Sequence, residues 1–121
     1  VIALRGAGDD FCAGADLREV RESVEAGVLA SLDDAQALGD LFIEMRGMRR
    51  PVVAIVRGRA LAGGFGLATA CDMVVAARSA RFGYPEVRLG FVPAMVMAIL
   101  RRSTGEQRAF ELVAFGETID A

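Results

Sequence analysis

Residues 61–72 read LAGGFGLATACD, three glycines and three alanines closing on a thiol and an acid. The backbone is nearly bare here, although the rest of the chain is rich in Val, Leu and Met. Gly63 and Gly64 open what reads as a helix through about Cys71, and two explanations compete for the missing side chains. Small residues let a helix pack closely on a strand. They also leave the unpaired N–H groups of a helix start, with their partial positive charge, open to a substrate oxygen. A dinucleotide fingerprint fits poorly: G-x-G-x-x-G/A started at Gly64 ends on Thr69, and no acid follows at the needed distance. Asp72 is expected to bond backbone groups at the helix–strand junction, and Cys12 and Cys71 to be small core fillers.

Outward from this stretch the pattern alternates. VVAIVRG (52–58) precedes it as an apolar strand, and DMVVAA (72–77) follows as another. VIALRG (1–6) is a third buried-strand signal. LREVRESVEAG (17–27) reads as a helical surface segment with little apolar periodicity. Ser31 followed by Asp34 predicts a helix cap. Leu38, Leu41, Phe42, Met45 and Met48 then share one helical face, and Pro51 ends that helix. RSARFGYPEVRLGF (78–91) is a connector turning at Gly83–Pro85. Pro93 suits a first helical turn and starts AMVMAILRRSTG, and EQRAFELVAFG (106–116) is a last helix closed by Gly116. Strands alternating with helices make an α/β fold with mostly parallel strands. No internal repeat, low-complexity tract or domain boundary is visible.

Composition removes many chemistries. The 121 residues include no His, and all 14 basic residues are Arg. A Ser-His-Asp or Cys-His site within the chain is excluded, as are a Walker phosphate loop and a Schiff-base lysine. Two distant Cys make a zinc site improbable and read as reduced thiols. A net charge of −2 gives no reason to expect a nucleic-acid partner. Mean hydropathy is +0.40, enough for a core, yet charges and glycines interrupt every run short of a membrane span. No leader peptide is visible, and residue 1 is expected to lie inside a longer chain. Carboxylates, hydroxyls and backbone amides remain as agents.

FCAGAD (11–16) has the same character as the opening stretch: small residues, then an acid before a helical segment. Asp16 reads as a cap or loop tie. Two such loops, each after a strand, can aim one amide apiece at a shared oxygen, the arrangement a thioester enolate needs.

FCAGADL and PVVAIVRGRALAGGFGLATACDMVVAARSARFGYPEVRLGFVP, with their spacing, resemble the crotonase superfamily, the enoyl-CoA hydratase/isomerase family. The resemblance covers essentially the whole chain. It implies a spiral of ββα units, with residues 1–121 as the central part of a single domain whose N-terminal strand or strands and C-terminal helices lie outside it. It implies acyl-CoA substrates of fatty-acid type, no metal and no separate cofactor, a homotrimer or dimer of trimers, and a cytoplasmic location. It assigns the oxyanion amides to Ala15 and Gly63. Ala13, Gly14, Asp16, Leu17, Gly64, Tyr84, Pro85 and Met95 are expected to meet substrate.

Hydratases of this family usually carry two glutamates. One position holds Glu86, flanked in sequence by Phe82, Tyr84, Val87 and Phe91; apolar neighbours would raise its pKa toward proton transfer. The other, three residues after Gly63, holds Gly66. PAMVMAIL (93–100) also replaces a glycine-rich stretch, and Met95 in particular suggests an apolar acyl pocket. The expected activity is hydration of a 2-enoyl-CoA. A Δ3–Δ2 isomerase using the same Glu, a thioester hydrolase and a non-catalytic acyl-CoA binder stand as alternatives.

Overall fold

The computed structural model describes residues 1–121. Six strands form two three-stranded sheets, joined by corners rather than helices. In the first sheet β1 (Ile2–Arg5), β2 (Val52–Val56) and β4 (Met73–Ala76) run parallel in the order β1-β2-β4. In the second, β3 (Arg59–Leu61) pairs parallel with β5 (Arg81–Gly83), and β5 pairs antiparallel with β6 (Thr118–Asp120).

A repeated unit accounts for both sheets. β2 turns at Gly58, whose φ of 57° favours glycine, and continues as β3 in the other sheet. Helix α3 (Gly63–Ala70) follows. β4 likewise crosses to become β5, and a 3-10 turn at Pro85–Leu89 leads into α4 (Ala94–Thr104). After β1 the chain reaches the second sheet through a single parallel bridge from Cys12 to Ala60, then enters α1 (Leu17–Ala26). The ββα repeat implied by the resemblance is thus present, and the strands are mostly parallel.

Helices α2 (Val28–Gly47), α4 and α5 (Glu106–Phe115) surround α3 and the second sheet. The core is built from Phe42, Val56, Tyr84 and Leu100, all sealed from solvent, with Val52, Ala54, Phe82, Val96 and Leu112 beside them. Val52, Ala54 and Val56 all face it, so β2 buries one face, and Ile55 is 38% exposed on the other.

Several sequence expectations need correction. β1 reads as a buried strand, but within residues 1–121 it lies at one side of the three-stranded sheet, with β4 at the other, and Ile2, Ala3 and Arg5 are exposed. Met73, Val74 and Val75 are all exposed. Ser31 does not cap a helix: α2 starts at Val28 on Gly27, and Ser31 lies in its first turn, donating to the Ser23 carbonyl at 3.4 Å. Of the predicted face of α2, only Phe42 and Met45 are buried; Leu38 is half-buried, and Leu41 and Met48 are exposed. The 78–91 connector holds β5 and the 3-10 turn. β3 and β6 were not foreseen, because three residues carry no readable period. Asp72 does bond across the junction, its carboxylate accepting from the Val52 N–H at 2.8 Å. Cys71 is buried, which pushes its thiol pKa up with help from the nearby Asp72 charge.

Candidate active site

Three loops leave the same end of the second sheet, and their first residues line one cleft of about 400 Å³. From the first come Ala13, Gly14, Ala15 and Leu17, from the second Ala62 and Gly63, and from the third Pro85 and Glu86. Val20, Leu38, Leu89 and Phe91 complete its walls, so the lining is mainly hydrocarbon and backbone.

Backbone bonds fix the first loop to β3. The N–H groups of Phe11 and Cys12 both donate to the Arg59 carbonyl at 3.1 Å, and the Leu61 N–H donates to the Cys12 carbonyl at 2.9 Å. Arg59 adds a clamp: its N–H and guanidinium donate to the Asp10 carboxylate at 2.6 to 2.9 Å. That partner holds the Asp10 pKa below its ordinary value. Gly14 has φ of 105°, and a Cβ there would stand 3.0 Å from Ala62 Cβ and 3.9 Å from Gly63 N. The two small-residue loops therefore touch. Asp16 turns away to cap α1, accepting from the Arg18 N–H at 2.8 Å, and the Ala15 N–H has no acceptor within the protein.

The second loop is strained. Ala62 has φ of 53° and ψ of −130°, a conformation that costs an L-residue on the order of 1–3 kcal/mol. The cost is met by bonds on both sides. Its N–H donates to the Gly83 carbonyl at 2.9 Å, and its carbonyl accepts from Phe65 and Gly66 at 3.0 and 3.1 Å. This kink starts α3 at Gly63, whose N–H, as the first of the helix, has no intrahelical acceptor. A Cβ on Gly63 would meet nothing within 4 Å. The same atom on Gly64 would strike the Cys12 backbone, so Gly64 is a packing glycine beneath the loop.

Glu86 stands in the 3-10 turn, half-buried, with Oε2 buried and unpartnered. Burial raises its pKa above the ordinary glutamate value, against a smaller lowering from its own backbone N–H. Tyr84 does not line the cleft: it is wholly buried, stacked on Phe65 at 4.8 Å. Its hydroxyl faces Thr69 outside hydrogen-bond geometry, while the Thr69 hydroxyl donates to the Phe65 carbonyl at 2.8 Å. Burial above all keeps the Tyr84 hydroxyl protonated, with the Glu86 charge adding to it. Met95 is also off the cleft, lying 2.6 Å from the place a Cβ on Gly39 would take.

Gly66 explains its own lack of a side chain. A Cβ there would collide with Val96 Cγ1 and come within 3.1 Å of Val96 Cβ and 3.2 Å of the Phe42 ring. The volume a second carboxylate would need is filled with hydrocarbon from α4 and α2. Among the cleft residues, Ala62, Val20, Leu38 and Leu89 were missed from sequence. Only Leu38 carried a signal, as a core-facing position of α2, and it does pack against the core as well as lining the cleft.

The fold and the cleft define a class: a ββα spiral with two bare loops and one glutamate facing a common space. A family model described as enoyl-CoA hydratase/isomerase matches residues 1–121, and the chain belongs to that family. It is 42% identical over 124 residues to a mevalonyl-coenzyme A hydratase of Beauveria bassiana, covering 98% of this chain and 44% of the relative. It is 39% identical over 122 residues to a 2,3-dehydroadipyl-CoA hydratase of Escherichia coli, covering 100% and 46%. A Legionella pneumophila structure described as an enoyl-CoA hydratase/isomerase (crotonase) superposes with a TM-score of 0.95 at 38% identity, covering 99% of this chain and 46% of that one. The chain spans about half the length of the curated relatives it matches. No helix is long and apolar enough to cross a membrane.

Proposed function

We propose that this chain carries the catalytic cleft of an enoyl-CoA hydratase. The observation that carries the reading is the convergence of the Ala15 and Gly63 loops with Glu86 on one apolar cleft. In this scheme the two free N–H groups donate to the thioester carbonyl oxygen of a 2-enoyl-CoA. Each such donor contributes roughly 3 to 4 kcal/mol to an enolate in a dry site. The Glu86 carboxylate takes a proton from water as the hydroxide oxygen bonds to C3. The C2–C3 π electrons move onto the thioester as an enolate held by the amides. Glu86, now a carboxylic acid, returns the proton to C2 and ends as it began. Its raised pKa suits a group that must hold a proton between two steps. The scheme uses no metal or redox cofactor, and CoA enters as part of the substrate. The expected assembly is a homotrimer or a pair of trimers, read by light scattering.

The test is loss of the ultraviolet absorbance of crotonyl-CoA on incubation with the protein at its full natural length, with oxygen from labelled water appearing at C3. No loss with short, long or branched 2-enoyl-CoA chains overturns the reading.

A second reading, Δ3–Δ2 isomerisation, is favoured by the packing around Gly66, which leaves Glu86 as the only carboxylate in the cleft. One carboxylate suffices to move a proton between C4 and C2. A 3-enoyl-CoA would then gain conjugation without taking up labelled oxygen. The relatives named above differ in the acyl tail their names specify, so the tail's fate here depends on the walls beyond Glu86.

A further inference from the structure

The three loops around the cleft are not held equally. The second and third leave β3 and β5, which pair along their whole length, and the Ala62 N–H joins the two loops through the Gly83 carbonyl at 2.9 Å. The first loop has no strand of its own in that sheet. It meets the sheet at the single bridge from Cys12 to Ala60 and through backbone bonds to Arg59 and Leu61. The Asp10 side chain makes up the difference. Its Oδ1 accepts from the Arg59 N–H at 2.7 Å, and its Oδ2 accepts from Arg59 Nε at 2.9 Å and Nη2 at 2.6 Å. Two glycines make room for this contact: a Cβ on Gly58 would strike Asp10 Oδ1, and one on Gly6 would strike the Asp10 carbonyl.

We infer that Asp10 and Arg59 are positioning residues, a clamp that holds the Ala15 N–H in register with the Gly63 N–H so that both reach one carbonyl oxygen. The inference rests on the acyl-CoA reading of the cleft. Asp10 stands at the base of the loop that ends on Ala15, and Arg59 opens the strand that runs into the Gly63 turn. The pair therefore ties the two amide-bearing segments together below the cleft. Its side chains are 32% and 61% exposed, and an exposed ion pair adds little to stability. Three donors on one carboxylate nevertheless fix direction as well as distance. A displacement of about 1 Å can cost a reaction about a hundredfold in rate. A contact that is weak in stability can thus be strong in catalysis.

The experiment compares the full-length protein with Asp10→Ala, Asp10→Asn and Asp10→Ala/Arg59→Gln. Crotonyl-CoA kinetics, thermal melting and the infrared carbonyl band of bound, carbonyl-labelled butyryl-CoA are read for each. Asp10→Ala should lower kcat about tenfold with KM within about twofold, and the bound carbonyl should lose part of its shift to lower frequency. The melting temperature should fall by no more than about 4 °C. Asp10→Asn keeps an acceptor for the Arg59 N–H and should lose only about threefold in kcat; it also carries the test if Asp10→Ala fails to fold. Adding Arg59→Gln to Asp10→Ala should cost nothing more, because the clamp is already open. An unmoved band and unchanged kcat in the Asp10 variants would overturn the inference and leave the cleft reading standing. Equal losses in Asp10→Ala and Asp10→Asn, or losses that merely track unfolded protein, would also overturn it. A wild-type band like that of the free ester would overturn both. A clamp-dependent band without turnover would support the clamp and sink the hydratase reading alone.

Discussion

Gly63 and Gly66 lie on the same short helix, one turn apart, and the reasons for their bareness are opposite. A side chain on Gly63 would enter open space in the cleft, whereas one on Gly66 would strike Val96 and approach Phe42. The first glycine leaves a backbone amide accessible; the second accommodates a neighbour already in place. Identical residues thus mark an open site at the start of α3 and a closed core one turn further along. The comparison also explains why α3 adds no second carboxylate to Glu86: Val96 and Phe42 fill the place a side chain on residue 66 would take.

The largest expected effect concerns that solitary carboxylate. Glu86→Gln should lower kcat by about a thousandfold, with KM little changed, because Gln cannot exchange a proton. In wild type, kcat/KM should rise with pH through the raised Glu86 pKa, since the step begins with the carboxylate. Steady-state kinetics from acid to neutral pH checks both.

Next comes the filled side. Gly66→Ala should cost about 3 kcal/mol of stability by overpacking against Val96. Val96→Ala alone should cost about 2 kcal/mol by leaving a cavity. The double variant should cost clearly less than the sum, a coupling read by denaturant titration. Strict additivity would break the comparison, because it would mean that the two sites do not meet.

On the open side, Gly63→Ala should leave stability within about 0.5 kcal/mol. It should nevertheless weaken binding of a saturated acyl-CoA by about tenfold, as its methyl enters the space beside the amide. Calorimetry and thermal melting separate these readouts.

Smaller effects belong beneath the cleft. Tyr84→Phe removes a buried hydroxyl without a partner and should raise stability by about 1 kcal/mol, leaving kcat/KM near wild type. The raised pKa of Glu86 means that the folded state binds its proton more tightly than the unfolded chain does. That contribution to stability is fully present below the unfolded pKa and is lost as pH rises through the folded one. Glu86→Gln should therefore melt higher than wild type at neutral pH, with the advantage shrinking in acid.

Longer elements were readable because they carry a period or a cap. α4 begins after Pro93, α5 closes on Gly116 in a left-handed conformation, and β2 follows from a run of Val and Ile. The three-residue strands β3 and β6 offered nothing to count. Apolar content alone misjudged the burial of β1, since whether a strand is covered depends on the sheet around it. In the cleft, the resemblance located Ala13–Ala15, Leu17, Gly63, Pro85 and Glu86, which the structure brings together. Asp16, Gly64, Tyr84 and Met95 lie off it, for reasons local to each: a cap, a close packing contact, a buried ring stack and a contact with α2. The strain at Ala62 was invisible in sequence, because nothing marks an alanine for a positive φ.

The most direct test of the converging amides is the carbonyl stretch of carbonyl-labelled butyryl-CoA bound to the full-length protein, followed by infrared difference spectroscopy. Two donors on that oxygen predict a clear shift to lower frequency than in water, retained in Glu86→Gln and reduced in Gly63→Ala. A bound thioester whose stretch matches that of the free ester in water would contradict the account.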